Sequence, residues 1–390
     1  MQVPPEYELF TVDFWKDPAG AANWWREHQP VHHHERSNSW ILSRHADIVR
    51  ASTDVETFSN EGVREASVTG EAIDQESFET QVNKRRLSSR DKPSHTELRR
   101  LMMKPFTPRS IAQREDDVRE VCESVLDEME QRGAAGDLDL VRDFSYPIPV
   151  LAVNLILGVP NEVRWSVGRY TNTTEREMAE YFRTLVEDPR FKTGEDLTSV
   201  LVSAAATGNR YITPEEVHYF VAAFWTAGNL TTTNLMAHMM VQLDQLPGVR
   251  DELEADRSLI PGFVEESLRV EPPVPGVLKL TKKDADFDGT VIPAGSRVYV
   301  FYTAANRDPA VFTDPDTFDL HRSPNPHLSF AHGAHFCLGA PLARLEARVA
   351  IETVLDRDFR YSVTADRVAG KGGPGPTLNG FEALPATRLP

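Results

Sequence analysis

Residues 330–350 read FAHGAHFCLGAPLARLEARVA, and the surroundings of Cys337 in that stretch decide how the rest of the chain is read. Gly333 and Gly339 bracket the thiol and give the backbone conformational freedom and close approach on either side. From Leu342 to Leu355 apolar residues recur at helical spacing, which places Cys337 just before or at a helix N-terminus. Free N–H groups and the helix dipole there favour a thiolate. A structural zinc site needs about four Cys or His ligands, usually in close pairs, whereas His327, His332 and His335 accompany a single thiolate here. A Cys/His hydrolase needs a base and an orienting group from elsewhere in the chain, which no motif signals. An inert buried cysteine leaves the two glycines without a reason. A stabilised thiolate in a glycine-bounded loop suits metal ligation.

Composition narrows the setting. The chain has 390 residues, 40% of them apolar and 26% charged, enough to bury a large core and keep it soluble. No linker, low-complexity tract or repeat marks a boundary, so one domain over residues 1–390 is expected. MQVPPEYELF lacks the basic start and apolar run of a signal peptide, no stretch approaches spanning length, and a cytoplasmic location with no membrane partner is expected. Two cysteines, Cys122 and Cys337, build no disulfide framework. A net charge of −17 disfavours nucleic acid and anionic membranes as partners.

Phe330, Gly333, His335, Cys337 and Gly339 follow the pattern FxxGxHxCxG, and the stretch resembles the cysteine-ligand loop of the cytochrome P-450 family. The resemblance implies haem b (iron protoporphyrin IX) as cofactor, with Cys337 as its axial iron ligand and His335 at a propionate. Ala331 departs from it, because the family usually has a second glycine there.

Other segments carry the same resemblance. In FVEESLRVEPP, Glu266 and Arg269 lie three apart on one face of a helix that ends before Pro272. In the family such a pair belongs to a network behind the haem, which His327 or Arg322 could complete. In DKPSHTELRRLMMKPFTP, His95 and Arg99 are four apart on one helical face, with Ser94 able to cap its start. The resemblance assigns both to the haem propionates. Lys279 falls near a further propionate-binding arginine of the family, keeping the charge without the bidentate fork.

Thr213, Pro214 and Glu216 form a helix start, and Pro247-Gly248 an end, which predicts one helix of about 33 residues, roughly 50 Å long. Gly228, Asn229 and three successive threonines are poor interior helix residues. Ala227, Gly228 and Thr231 match the small–Gly–x–acid–Thr pattern of the family's distal helix, where the helix widens to admit dioxygen. Leu230 departs from it: the family has Asp or Glu at that position, in a proton relay, and leucine carries no proton.

His32-His33-His34 reads as a surface strand, since successive strand side chains point to opposite faces. TDPDTFD at 313–319 reads as a turn, and the segment around Asp288-Gly289 as hairpin strands. The expected fold is therefore mostly α with a smaller β-rich portion, the cytochrome P-450 fold, over a resemblance running from residue 40 to the C-terminus. The implied function is a haem-thiolate monooxygenase of bacterial secondary metabolism, using dioxygen to oxidise an organic substrate. Its electrons would come from a separate ferredoxin and ferredoxin reductase, docking near Arg99, Arg100, Lys104 and Arg109. The alternatives are a peroxide-using or oxidative-coupling enzyme of the same family, or a non-catalytic haem-binding sensor or recruitment module. Residues 161–194 are short for the family's two-helix roof and supply one amphipathic helix near Thr174–Val186, or else the loop Val68–Asn83 folds over instead. An open distal face suits a peptide or carrier-bound substrate better than a small-molecule substrate that is free in solution.

Overall fold

The structure is a computed structural model that describes residues 3–9, 11, 14, 18–61, 77–134, 136–159, 175–364 and 378–389. Its helical body is built around the helix Val217–Gln245. The capping box between Thr213 and Glu216 forms as expected, on a 3-10 turn Pro214–Glu216 that leads into the α-helix. The glycine and threonines do not break that helix. Thr226 and Thr231 donate back to the carbonyls of Ala222 and Ala227 at 2.8 and 2.9 Å, and Thr233 donates to the Asn229 side chain. Nineteen buried residues along the helix outweigh its weak local propensity. Gly228 has a packing reason, because a Cβ there would stand 3.0 Å from Val153 Cγ2 on the helix Pro147–Leu157.

That neighbour, PIPVLAVNLIL, is apolar apart from Asn154 and is buried accordingly. The helices Glu115–Ala134 and Ala340–Asp356 complete the main core. Their outer edges are tied by Arg348 and Arg119, which each reach both Glu115 and Glu352.

A five-stranded sheet stands beside the helices in the order Val31–His34, Ser39–Leu42, Arg297–Phe301, Gly276–Thr281, Phe58–Ser59. Only the Ser39–Leu42 and Arg297–Phe301 pair runs parallel. Period-2 alternation splits Arg297–Phe301 between two cores: Val298 and Val300 pack with Ile48 and Ala51, while Tyr299 and Phe301 pack with Trp25 and Phe14. The histidine run is the edge strand of this sheet, and among the described residues no group of side chains could hold a metal ion. Ala285–Phe287 and Thr290–Ile292 form the expected hairpin. The helix Glu175–Glu187 matches the amphipathic helix expected near Thr174–Val186. Residues 161–174 of the roof and residues 68–76 of the alternative cover lie outside the described residues. Among the described residues no helix is long and apolar enough to cross a membrane.

Candidate functional site

The cysteine loop is held from behind by a buried ion cluster. Arg269 faces Glu266 through two bonds of 2.8 and 2.7 Å, with both residues essentially inaccessible. Desolvating such a pair is tolerable only when every remaining donor is used. Here Arg269 also donates to the carbonyls of Asn306, Pro315 and Thr317. Arg322, not His327, completes the cluster, with Nε 3.1 Å from each Glu266 oxygen. His327 instead joins Arg344 on Glu265. Asn306 relays the cluster forward, donating to Ser329 Oγ and accepting from the Leu328 N–H at the root of the loop.

Within the loop, Ala331 and Gly333 both adopt the left-handed region, at φ of 60° and 71°. Gly333 has no alternative, because a Cβ would lie 2.8 Å from the Ser52 carbonyl oxygen at the end of the helix His45–Thr53. The Cys337 N–H donates to the Phe330 carbonyl at 2.9 Å, closing the loop. The helix expected over Leu342–Leu355 runs from Ala340 to Asp356 and starts three residues after the cysteine. Burial pushes the Cys337 thiol up, and the N–H groups of Gly339 and Ala340, with the charges of Arg99 and Arg344, oppose that. Coordination by a metal removes such a thiol proton outright.

Four cationic or imidazole groups gather around this point. His95 and His335, far apart in sequence, lie with ring centres 4.1 Å apart and planes tilted by 38°. Burial lowers His95 to about 4 and His335 to about 3, so both are neutral imidazoles near pH 7. His95 Nε2 and His335 Nδ1 are buried without a hydrogen-bond partner. Burial likewise lowers Arg99, which has no carboxylate partner among the described residues. Lys279, buried and brought down to about 8, donates to Asn60 Oδ1 at 2.8 Å and influences His335. Buried nitrogens left unpaired cost about 1–3 kcal/mol each. Together with the cysteine they make a donor set that fits a haem with two carboxylates: one soft thiolate for iron, and a cationic, hydrogen-bonding wall for the acids.

Sequence reasoning missed Asn60 and Asp91. Asp91 accepts from Ser59 Oγ and from the Asn60 N–H, holding Asn60 against Lys279. Its place four residues before His95 was the available signal. Ser94 does not cap its helix: it lies inside Ser94–Met102 and its hydroxyl donates to the Asp91 carbonyl.

On the long helix Ala227, Leu230 and Thr231 share one face, at i, i+3 and i+4, and Leu230 is 37% exposed. The α-helix continues through Thr231 without a break, so widening at this point is absent. Arg100, in the last turn of the Ser94–Met102 helix, is exposed, as are Arg109 and Lys104 beyond it, and Lys104 pairs with Glu195 at 3.1 Å. Exposed Met103 adds apolar surface on this segment, and exposed Phe336 does so on the cysteine loop.

The Cytochrome P450 family model matches residues 161–369. The cytochrome P450 monooxygenase PikC of Streptomyces venezuelae is 34% identical over 402 residues, covering 98% of this chain and 94% of its own. Among solved structures, HmtN, a post-tailoring hydroxylase involved in himastatin biosynthesis, is 31% identical with a TM-score of 0.79, covering 95% of this chain and 97% of that one. P450BioI in complex with hexadec-9Z-enoic acid ligated acyl carrier protein is 28% identical with a TM-score of 0.82, covering 97% and 100%.

Proposed function

The chain belongs to the cytochrome P450 family and is a cytochrome P450 monooxygenase with haem b as cofactor, and within that frame we propose that Cys337 is the axial ligand of the haem iron. The observation that carries this reading is that the Cys337 thiol, favoured by the Gly339 and Ala340 N–H groups and the Arg99 charge, shares its loop with His335, whose ring centre lies 4.1 Å from that of His95, each imidazole keeping one buried, unpartnered nitrogen. The bound haem supplies dioxygen activation, for which a thiolate ligand is suited. In this proposal His95, Arg99, His335 and Lys279 hold the two propionates, and Phe330, Gly333 and Gly339 shape the cysteine loop. Ala227, Gly228 and Thr231 line the oxygen side, and residues 1–390 act as one catalytic domain. Reduced protein under carbon monoxide then shows the thiolate-type Soret band. Cys337→Ser loses that band and Cys122→Ser keeps it; a histidine-type spectrum in the wild type refutes the ligand.

Electrons come from a separate ferredoxin and its reductase, which dock on the exposed Arg100, Lys104 and Arg109 side. The substrate is an organic molecule presented by a peptide or a carrier protein, a reading supported by the likeness to P450BioI, which was solved with such a carrier. Carrier-bound ligands should give tighter spin-state shifts than the same ligands free in solution. Tight binding and efficient turnover of a small free ligand would overturn that choice.

One observation favours a second reading, in which peroxide or oxidative coupling replaces the usual relay. Leu230 is exposed on the helix face where the family carries an acid, and its side chain can neither donate nor accept a proton. With surrogate redox partners much of the reducing equivalent should be lost as hydrogen peroxide, and Leu230→Glu should improve coupling. Tight coupling in the wild type, with no gain in the variant, removes this reading.

A further inference from the structure

Lys279 lies on the strand Gly276–Thr281, whose antiparallel register with Phe58–Ser59 pairs Thr281 with Phe58 and Leu280 with Ser59. Continued one step past the end of the short strand, that register sets Asn60 opposite Lys279, and side chains directly opposite across a strand pair can meet. They do: Lys279 Nζ donates to Asn60 Oδ1 at 2.8 Å.

Asn60 is held in that role from two sides. Its main-chain N–H donates to Asp91 Oδ1 at 3.0 Å and its Nδ2 donates to the Ser88 carbonyl at 3.2 Å, so the amide turns its oxygen to Lys279. Asp91 is fixed in turn by the Ser59 hydroxyl at 2.6 Å, and its own N–H donates to Glu61 at 2.9 Å. The Asp91 carbonyl accepts from the Ser94 hydroxyl and the His95 N–H, both at 2.9 Å, at the start of the helix that carries His95 and Arg99. One aspartate therefore ties the two sides of the cationic wall together.

Lys279 is 4% exposed, and an ammonium group carries three N–H donors. Asn60 Oδ1 is its one hydrogen-bond partner among the described residues, which leaves two donors in the wall, where the lysine charge acts on His335. Burial works against the ammonium and the Asp91 charge works for it. A lysine keeps the charge of an arginine but not its rigid fork, so its direction has to come from a fixed acceptor.

We infer that Asn60 is a positioning residue for the haem: through Lys279 it directs the two remaining ammonium donors to one propionate, so that a lysine held by an amide does what an arginine fork does unaided. The inference rests on the placing of Lys279 at a propionate. A cation fixed there favours the reduced, more negative haem, so its loss lowers the reduction potential.

Two readouts test this on the holoenzyme: the reduction potential, by spectroelectrochemical titration, and the rate of haem transfer to apomyoglobin. Lys279→Met should lower the potential and speed haem loss. Asn60→Leu, which keeps the volume without the acceptor, should shift the potential in the same direction and speed haem loss about tenfold, the scale of an outer-shell partner. The double variant should resemble Lys279→Met alone, because Asn60 then has nothing to position. Asn60→Ala, a smaller change in shape, should behave like Asn60→Leu. The inference is overturned if the Asn60 variants keep wild-type values or if the two effects add in the double variant. It is also overturned if neither Asn60 variant loads haem while Lys279→Met does, since Asn60 then acts by another route. Wild-type values for Lys279→Met would instead remove Lys279 from the propionate, and the inference with it, while the carbon-monoxide Soret band reports on Cys337 separately.

Discussion

Ala331 and Gly333 sit two residues apart in the cysteine loop, both with left-handed backbone, and their substitutions should have opposite effects. An L residue pays about 1–2 kcal/mol for that conformation. At Ala331 no close contact forbids the methyl, so Ala331→Gly relieves the strain, less the roughly 0.4–1 kcal/mol that glycine's extra freedom adds to the unfolded chain. A small rise in thermal midpoint is expected, and a clear fall would show that the alanine methyl packs usefully. Gly333→Ala adds the same strain and also drives a methyl into the Ser52 carbonyl at 2.8 Å. It should lower the midpoint by more than Ala331→Gly raises it and speed haem loss to apomyoglobin; unchanged retention would deny the contact its importance.

Between elements, the decisive contacts are those that fix the cysteine helix. Glu265, on the helix Ile260–Val270, receives both Arg344 and His327. Burial by itself raises its carboxyl, but the arginine and the histidine win and hold it near 2. A depressed folded value means stability that is present above the ordinary carboxylate range and lost as pH falls through it. The holoenzyme should therefore lose stability between about pH 4.5 and 2, and Glu265→Gln should flatten that part of the profile. Thermal midpoints of the two proteins across that range check it; parallel curves would count against the contribution. The approach of Gly228 to Val153 belongs to the same scale, because it sets how closely two core helices lie, which no periodicity reveals.

Over the whole molecule, the Glu266–Arg269 pair acts as a hub. It binds carbonyls of residues 306, 315 and 317 and the Arg322 side chain, gathering the long loop before the cysteine onto one helix. Removing Arg269 leaves the buried Glu266 carboxylate with Arg322 alone as its cation and strips those carbonyls of their donor; breaking a buried pair in this way costs about 3–5 kcal/mol. Arg269→Ala should yield little holoenzyme. Arg322→Ala, which leaves the inner pair intact, should fold and load haem with a lower midpoint. Normal loading of Arg269→Ala would show that the loop reaches its path without the hub.

The sequence by itself determined the chemistry of the centre. A glycine-bounded cysteine, a helix beginning just after it, and a histidine and an arginine four apart on another helix are local patterns, set by backbone geometry and by 3.6-residue periodicity. The tertiary structure decided the partners. Arg322 rather than His327 closes the ion cluster, and Lys279 reaches Asn60, 219 positions away. Ser94 turned from cap to interior residue because Asp91, two residues before Pro93, offered its carbonyl. The threonine-rich stretch stayed helical because burial on one side and bonds back to carbonyls on the other overrode its propensity. The ion-cluster and Lys279 choices depend on which distant segment lies within about 3 Å of a donor in the folded chain. Spacing along the chain carries no such information, since the free energy of a buried polar contact is fixed by its final neighbours.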